Sequence, residues 1–118
     1  MIICVSGGTA KPGMGEKLEQ VFAELDATLH EMPGFISSQD VTAEDGEEIN
    51  ILRFETEEDL MRWRAEPGHA SYMEAVSEYY ESYWVQTAIV HREYIWRDGK
   101  RTDGDLSWMF RETTDRGS

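Results

Sequence analysis

The sequence has a single cysteine, Cys4, in 118 residues. No intrachain disulfide can form, which excludes a small secreted fold held by disulfides. In the apolar run MIICV the thiol reads as a small buried residue. Basic residues are also scarce, since 11 Lys and Arg stand against 24 Asp and Glu for a net charge of −13. That charge argues against nucleic acid, an anionic membrane or a polyanionic substrate as the main partner, and reads as a solubility feature. No stretch approaches the ~18 consecutive apolar residues of a membrane span, and no basic, apolar, small-residue leader opens the chain. A soluble cytoplasmic protein is expected. His30, His69 and His91 are scattered, with no HxH or HxxxH spacing, so no metal site is expected. Gly7-Gly8 lacks the spacing and the Lys-Ser/Thr ending of a phosphate loop, and nothing marks a nucleophile elbow.

What is present is a globular composition, 40% hydrophobic and 11% aromatic with four Trp. The length is that of one domain, with a real core but little room for a large private cavity. Residues 1–6 form an apolar, β-branched strand, which the glycines and Pro12 are expected to end. Residues 16–31 predict a helix, with Leu18, Val21, Phe22, Leu25 and Leu29 on one stripe and Met32-Pro33-Gly34 as the stop. His30 falls in its last turn and reads as a surface residue. Strands are expected over residues 35–42 and 48–55 around an Asp45-Gly46 turn. Thr56 followed by Glu57, Glu58 and Asp59 reads as a capped helix start. Pro67-Gly68 splits that helix from a second one over residues 69–83. A long strand is expected over residues 85–96, then an Asp98-Gly99 turn and a polar tail. In the tail, Leu106, Trp108, Met109 and Phe110 are too apolar to stay free and should dock on the sheet edge or a partner subunit.

The order is β-α-β-β-α-β with a split second helix, an α+β ferredoxin-like pattern with a four-stranded antiparallel sheet. Alternation puts Asn50, Leu52 and Phe54 on one face of the third strand and Ile49, Ile51 and Arg53 on the other. Both faces carry apolar residues, although helices cover only one. A second copy of the chain is the expected cover.

With that order assembled, the chain resembles the antibiotic biosynthesis monooxygenase family of dimeric α+β barrel proteins. The matching features are KPG at residues 11–13, MPGF at 32–35, DG at 45–46 and RFETEEDLMRWRAEPGH at 53–69. YYESY at 79–83 and VQTAIVHREY at 85–94 complete the set. The resemblance covers residues 1–96 as one family-like domain, with 97–118 as a C-terminal extension. It implies a homodimer with sheets packed face to face and a cavity between each sheet and its helices. It further implies oxygenation of an electron-rich phenolic, quinol- or anthrone-type molecule without metal or flavin, so no cofactor is expected. The haem-degrading branch of the family is a poorer match: Ser6 and Met73 stand where it carries Asn and His, although Trp63 is kept. The quinone-forming branch carries a strand Asn followed four residues on by an aromatic, matched here by Asn50 and Phe54, though Phe lacks the indole N–H donor.

Asn50 lies between Ile49 and Ile51 and either stabilises a phenolate or bonds neighbouring backbone. His69, at a helix start, is either the proton acceptor or a structural histidine. Phe54, Trp63, Tyr72 and Tyr80 would shape a pocket or fill the core, and Arg92 would steer an acidic ligand or pair with Glu93. His91 reads as an interface residue. The expected function is that of a cofactor-independent monooxygenase-like enzyme with Asn50 and His69 catalytic. The alternative is a non-catalytic ligand-binding or accessory dimer, with haem binding a weaker third reading.

Overall fold

The structure, a computed structural model, describes residues 1–104. Its elements run β1 (Ile2–Ala10), α1 (Gly15–Leu29), β2 (Phe35–Thr42), β3 (Glu48–Phe54), α2 (Glu57–Ala65), α3 (Pro67–Glu74), α4 (Val76–Tyr79), β4 (Tyr80–Ile89), β5 (Tyr94–Arg97) and β6 (Lys100–Asp103). The first four strands make an antiparallel sheet in the order β2-β3-β1-β4, and β5 and β6 form a separate hairpin. This is the ferredoxin-like arrangement with the second helix split.

Alternation decides which strand residues meet the helices. Ile2, Leu52 and Phe54 face α1 and α2 and bury against Leu29, Leu60 and Trp63. A second cluster joins Leu18 of α1 with Tyr72 of α3 and Tyr80 of β4. Leu25 packs against both clusters and so ties them together. The start of α2 follows the expected chemistry: Thr56 Oγ1 accepts from the Asp59 backbone N–H at 3.1 Å and donates to Asp59 Oδ2 at 2.8 Å. The split after α2 is set by Glu66, whose extended backbone breaks the helix. The Glu66 carboxylate then caps α3 by accepting from the His69 N–H at 2.8 Å. Pro67 occupies the first turn, where its missing N–H costs nothing.

The opposite face of the sheet carries half-buried Ile3, Val5, Ile49 and Ile51 and has no helix over it among the described residues. Arg53 lies on this face and donates to Gln39 Oε1 at 2.5 Å and Ser37 Oγ at 3.3 Å. Trp84 covers Gly7 there, and its indole N–H donates to Glu47 Oε2 at 3.2 Å.

Several elements differ from the sequence expectation. Gly7 and Gly8 do not end the first strand, which continues to Ala10. They stay in the ladder because the neighbouring rings need the space a side chain would fill: a Cβ on Gly7 would lie 2.5 Å from Trp84 and one on Gly8 2.8 Å from Tyr80. The helix expected to reach residue 83 ends at Tyr79, so Tyr80 and Tyr83 belong to β4. Pairing with β1 wins over the helical spacing of these residues. The strand expected over 85–96 breaks after Ile89, and Tyr94 starts the hairpin, whose turn places Asp98 at φ 52° and Gly99 at φ 75°. Phe22, expected on the buried stripe of α1, is 43% exposed. The docking expected of Leu106, Trp108, Met109 and Phe110 lies outside the described residues.

Candidate functional site: an imidazole beside a tyrosine nest

His69 sits in the first turn of α3, held there by the cap from Glu66. Its ring lies against Trp63, with centroids 4.6 Å apart, and beside Tyr72 at 6.2 Å. It therefore bridges the two core clusters. Its Nδ1 is buried and has no hydrogen-bond partner. Burial pushes the imidazole pKa below its ordinary value, while the Arg64 backbone and the Glu66 carboxylate pull the other way and the Arg64 charge adds to the lowering. The ring is thus favoured as a neutral base with one uncommitted nitrogen.

Tyr72 is the hub of the second cluster. Tyr79 stacks beside it at 6.0 Å, and the rings of Tyr80 and Tyr83 meet it edge-on at 6.5 and 6.4 Å. The Tyr72 and Tyr80 hydroxyls are 2.9 Å apart. Burial, then the neighbouring Tyr83 and Tyr80, push the Tyr72 phenol pKa far up. Burial also raises that of Tyr80, against a lowering from its bond to Tyr72. Both stay protonated at neutral pH.

This convergence depends on a bulge. Tyr80 and Tyr83 are three residues apart, so a regular strand would send them to opposite faces. The register of β4 against β1 shifts at Thr9/Ala10. The extra residue turns both rings over Gly8, where a Cβ would lie 2.8 Å from Tyr80 and 3.1 Å from Tyr83.

Asn50 lies on the helix-facing side of β3, opposite Ser6 of β1. Its Nδ2 donates toward Ser38 Oγ at 3.1 Å, Asp40 Oδ1 at 2.9 Å and the Gln39 carbonyl at 3.4 Å. The amide hydrogens are directed to β2. Phe54 is fully buried, edge-on to Phe35 at 6.0 Å. Trp63 is buried in the same cluster.

Arg92 stands apart from these residues. It lines a cleft of about 430 Å³ with His91, Arg101 and Asp103, and another of about 330 Å³ with Ile3, Arg53 and Tyr94. Its guanidinium lies 5.1 Å from the Tyr94 ring centroid. Among the expected site residues, the structure therefore gathers Trp63, His69, Tyr72 and Tyr80, keeps Asn50 on the sheet below the helices, and places Arg92 toward the open face. Sequence reasoning missed the roles of Glu66 and Gly8. The acid immediately before Pro67 and the paired glycines within a strand-like run were the available signals. Among the described residues, no group of three or more His, Cys, Asp or Glu is placed to hold a metal ion.

These features define a ferredoxin-like α+β domain with a polar, aromatic nest between sheet and helices. The sequence profile of the antibiotic biosynthesis monooxygenase family matches residues 1–75, and the chain belongs to that family. Solved structures share the fold. Rv0793 from Mycobacterium tuberculosis superposes with a TM-score of 0.70 at 17% identity, covering 78% of this chain and 96% of its own. SO0527 from Shewanella oneidensis gives 0.66 at 23% identity, covering 74% and 87%. SnoaB, a cofactor-independent oxygenase from Streptomyces nogalater, solved as an asparagine-to-alanine variant, gives 0.66 at 18% identity, covering 78% and 94%. The search of curated proteins finds no match. No helix among the described residues is long and apolar enough to cross a membrane.

Proposed function

We propose that this protein is a cofactor-independent monooxygenase-like enzyme that acts, as a homodimer, on a phenolic small molecule of quinol or anthrone type. The observation that carries the reading is the buried, unpartnered Nδ1 of His69 in an aromatic surround. A neutral imidazole with a free lone pair can take the proton from a phenol or an activated ring carbon. The resulting electron-rich anion reduces dioxygen. For an anthrone, the ring CH₂ loses both hydrogens and gains one oxygen atom as a carbonyl, and the second oxygen leaves as water. The protein's contribution is positioning, proton removal and exclusion of bulk water. Trp63 and Tyr72 supply the flat apolar contacts that hold a ring beside His69. Asn50 helps by fixing β2 against β3 under the nest. The open sheet face with Ile3, Val5, Ile49 and Ile51 supports the dimer.

The test is oxygen uptake with 1,8-dihydroxyanthrone above the spontaneous rate. His69→Gln should lower the enzymic rate by about 10²-fold or more while keeping the fold. A wild-type rate equal to the buffer blank refutes the proposal. The second reading, a ligand-binding or accessory dimer, is favoured by the engagement of Asn50 with β2 and the burial of Phe54. It predicts a retained aromatic ligand by native mass spectrometry with no uptake.

A further inference from the structure

We propose that the corner between β4 and the β5–β6 hairpin binds a small amphipathic carboxylate, with its head on Arg92 and its apolar body against Ile3 and Val90. The site shares no residue with the His69 nest, so the inference goes beyond the functional reading above.

The corner is built where β4 leaves the sheet. Ile89 pairs with Ile2 at the end of the β1–β4 ladder. The next residue, Val90, donates its backbone N–H to the Met1 carbonyl at 3.0 Å, which pins the turn to the start of β1. The chain then runs through residues 91–93 into β5. Two clefts lie at this turn, of about 430 and 330 Å³, and both are lined by Val90, Arg92 and Glu93. They adjoin at Arg92 and differ in character. The first includes His91, Arg101 and Asp103, and the second Met1, Ile3 and Tyr94. Arg53 also lines the second, but its guanidinium is already bonded to Ser37 and Gln39. A charged compartment thus meets an apolar one, the pattern that suits a ligand with a polar head and an apolar body.

The charge that selects the head is Arg92. Arg92 and Arg101 both lie against the Tyr94 ring, with guanidinium carbons 5.1 and 4.3 Å from its centroid. Two like charges are therefore held within about a Debye length of each other. Arg101 is offset by Asp103, whose Oδ1 lies 2.9 Å from its Nε. Arg92 forms no ion pair among the described residues, although the chain carries 24 acids against 11 bases. Its planar fork, held against the ring, matches the two oxygens of a carboxylate. The net charge of −13 and the Glu93 and Asp103 carboxylates in the lining oppose a polyanion or a phosphate ester. A neutral ligand would leave the guanidinium unmatched, and a cation would be repelled by it. A monocarboxylate is the class that fits.

The test uses octanoate and its neutral analogue octanamide with the full chain, by calorimetry and amide-resonance NMR. Octanoate should bind about tenfold or more tighter than octanamide and shift resonances at residues 90–94. Arg92→Gln should remove that preference and leave octanamide binding as it was. Arg92→Ala carries the same test if Arg92→Gln does not fold. Equal binding of the two probes by wild type, binding of neither, or a preference that survives loss of the guanidinium overturns the site. A loss in His69→Gln as large as in Arg92→Gln, with shifts around α3, assigns the binding to the nest and overturns it as well. Oxygen uptake is read separately, and its failure leaves the cleft standing.

Discussion

Replacing Gly34 with alanine should damage the junction that carries Trp63 toward His69. Gly34 has φ +74°, in the left-handed region. A Cβ there would also overlap the Asp59 carboxylate. Asp59 is buried, accepts from Thr56 Oγ1 at 2.8 Å and pairs with Arg62 at 2.7 Å, and so fixes the first turn of α2. The left-handed conformation costs an alanine roughly 1–2 kcal/mol. Displacing the carboxylate weakens the cap and its bonds by about 1–2 kcal/mol more, with the half-exposed Arg62 contributing little. The expected loss is about 2–4 kcal/mol, which for a chain of this size lowers Tm by roughly 10 °C. Thermal and urea melts followed by circular dichroism measure it. Asp59→Gly in the same background removes the overlap but not the backbone strain, so the double-mutant cycle should return a coupling of about 1–2 kcal/mol. A Gly34→Ala protein melting within about 2 °C of wild type would refute both the conformational and the steric argument.

Other consequences are as direct. Gly8→Ala should push the Tyr80 ring away from Tyr72 and lower stability by about 1–3 kcal/mol in urea titration, whereas unchanged behaviour would mean the rings are not confined. Burial lowers the His69 pKa, so the unfolded chain takes up a proton first as pH falls. Stability from this residue is present above about pH 6.5 and is lost below it; denaturant midpoints at pH 5 and 7.5 should differ less in His69→Gln than in wild type. Tyr72 and Tyr80 titrate in the other direction: raised in the fold, they stabilise below about pH 10, and that stability is lost as pH rises past it. Absorbance near 295 nm should show Tyr72 ionising only on unfolding and Tyr80 ionising later than a free phenol, features that disappear in the Tyr72→Phe/Tyr80→Phe variant. Sedimentation should give the mass of two chains, and Ile51→Lys on the open face should give one, because a charge there cannot be buried unpaired.

The aromatic nest gives the site a rigidity that a loop-borne site lacks. Its members come from α2, α3 and β4, and Leu25 of α1 packs against both clusters beneath it. Movement of any one ring is therefore felt by its neighbours, since close-packed interiors transmit displacement. Loss of Trp63 should disturb His69 as well as the core.

Local chemistry made much of the fold legible. The stripe of α1 apart from its exposed Phe22, the Thr56 cap, the Asp45-Gly46 and Asp98-Gly99 turns and the alternation of β3 each depend on residues close together in the chain, and each is found in place. The ferredoxin-like four-stranded antiparallel sheet followed from their succession, and the family from the motifs they carry. Trp63, His69 and Tyr72 also lie within one short stretch of the sequence.

Pairing across the sheet decided the rest. The spacing of Tyr72, Tyr80 and Tyr83 fits a helix stripe, yet Tyr80 and Tyr83 are on a strand because β1 offers them a ladder. Only the bulge opposite Thr9 and Ala10 turns both rings to one face, and only the missing side chain of Gly8 gives them room. The engagement of Asn50 with Ser38 and Asp40 required knowing the register of β2 on β3. The orphaned nitrogen of His69 and the bond between the Tyr72 and Tyr80 hydroxyls are properties of neighbours brought together by folding. The sequence thus determined which elements exist and which face each turns inward, because those depend on near neighbours. The tertiary structure decided which polar groups meet and which are left unpaired, because hydrogen bonding in the core depends on residues far apart in the chain.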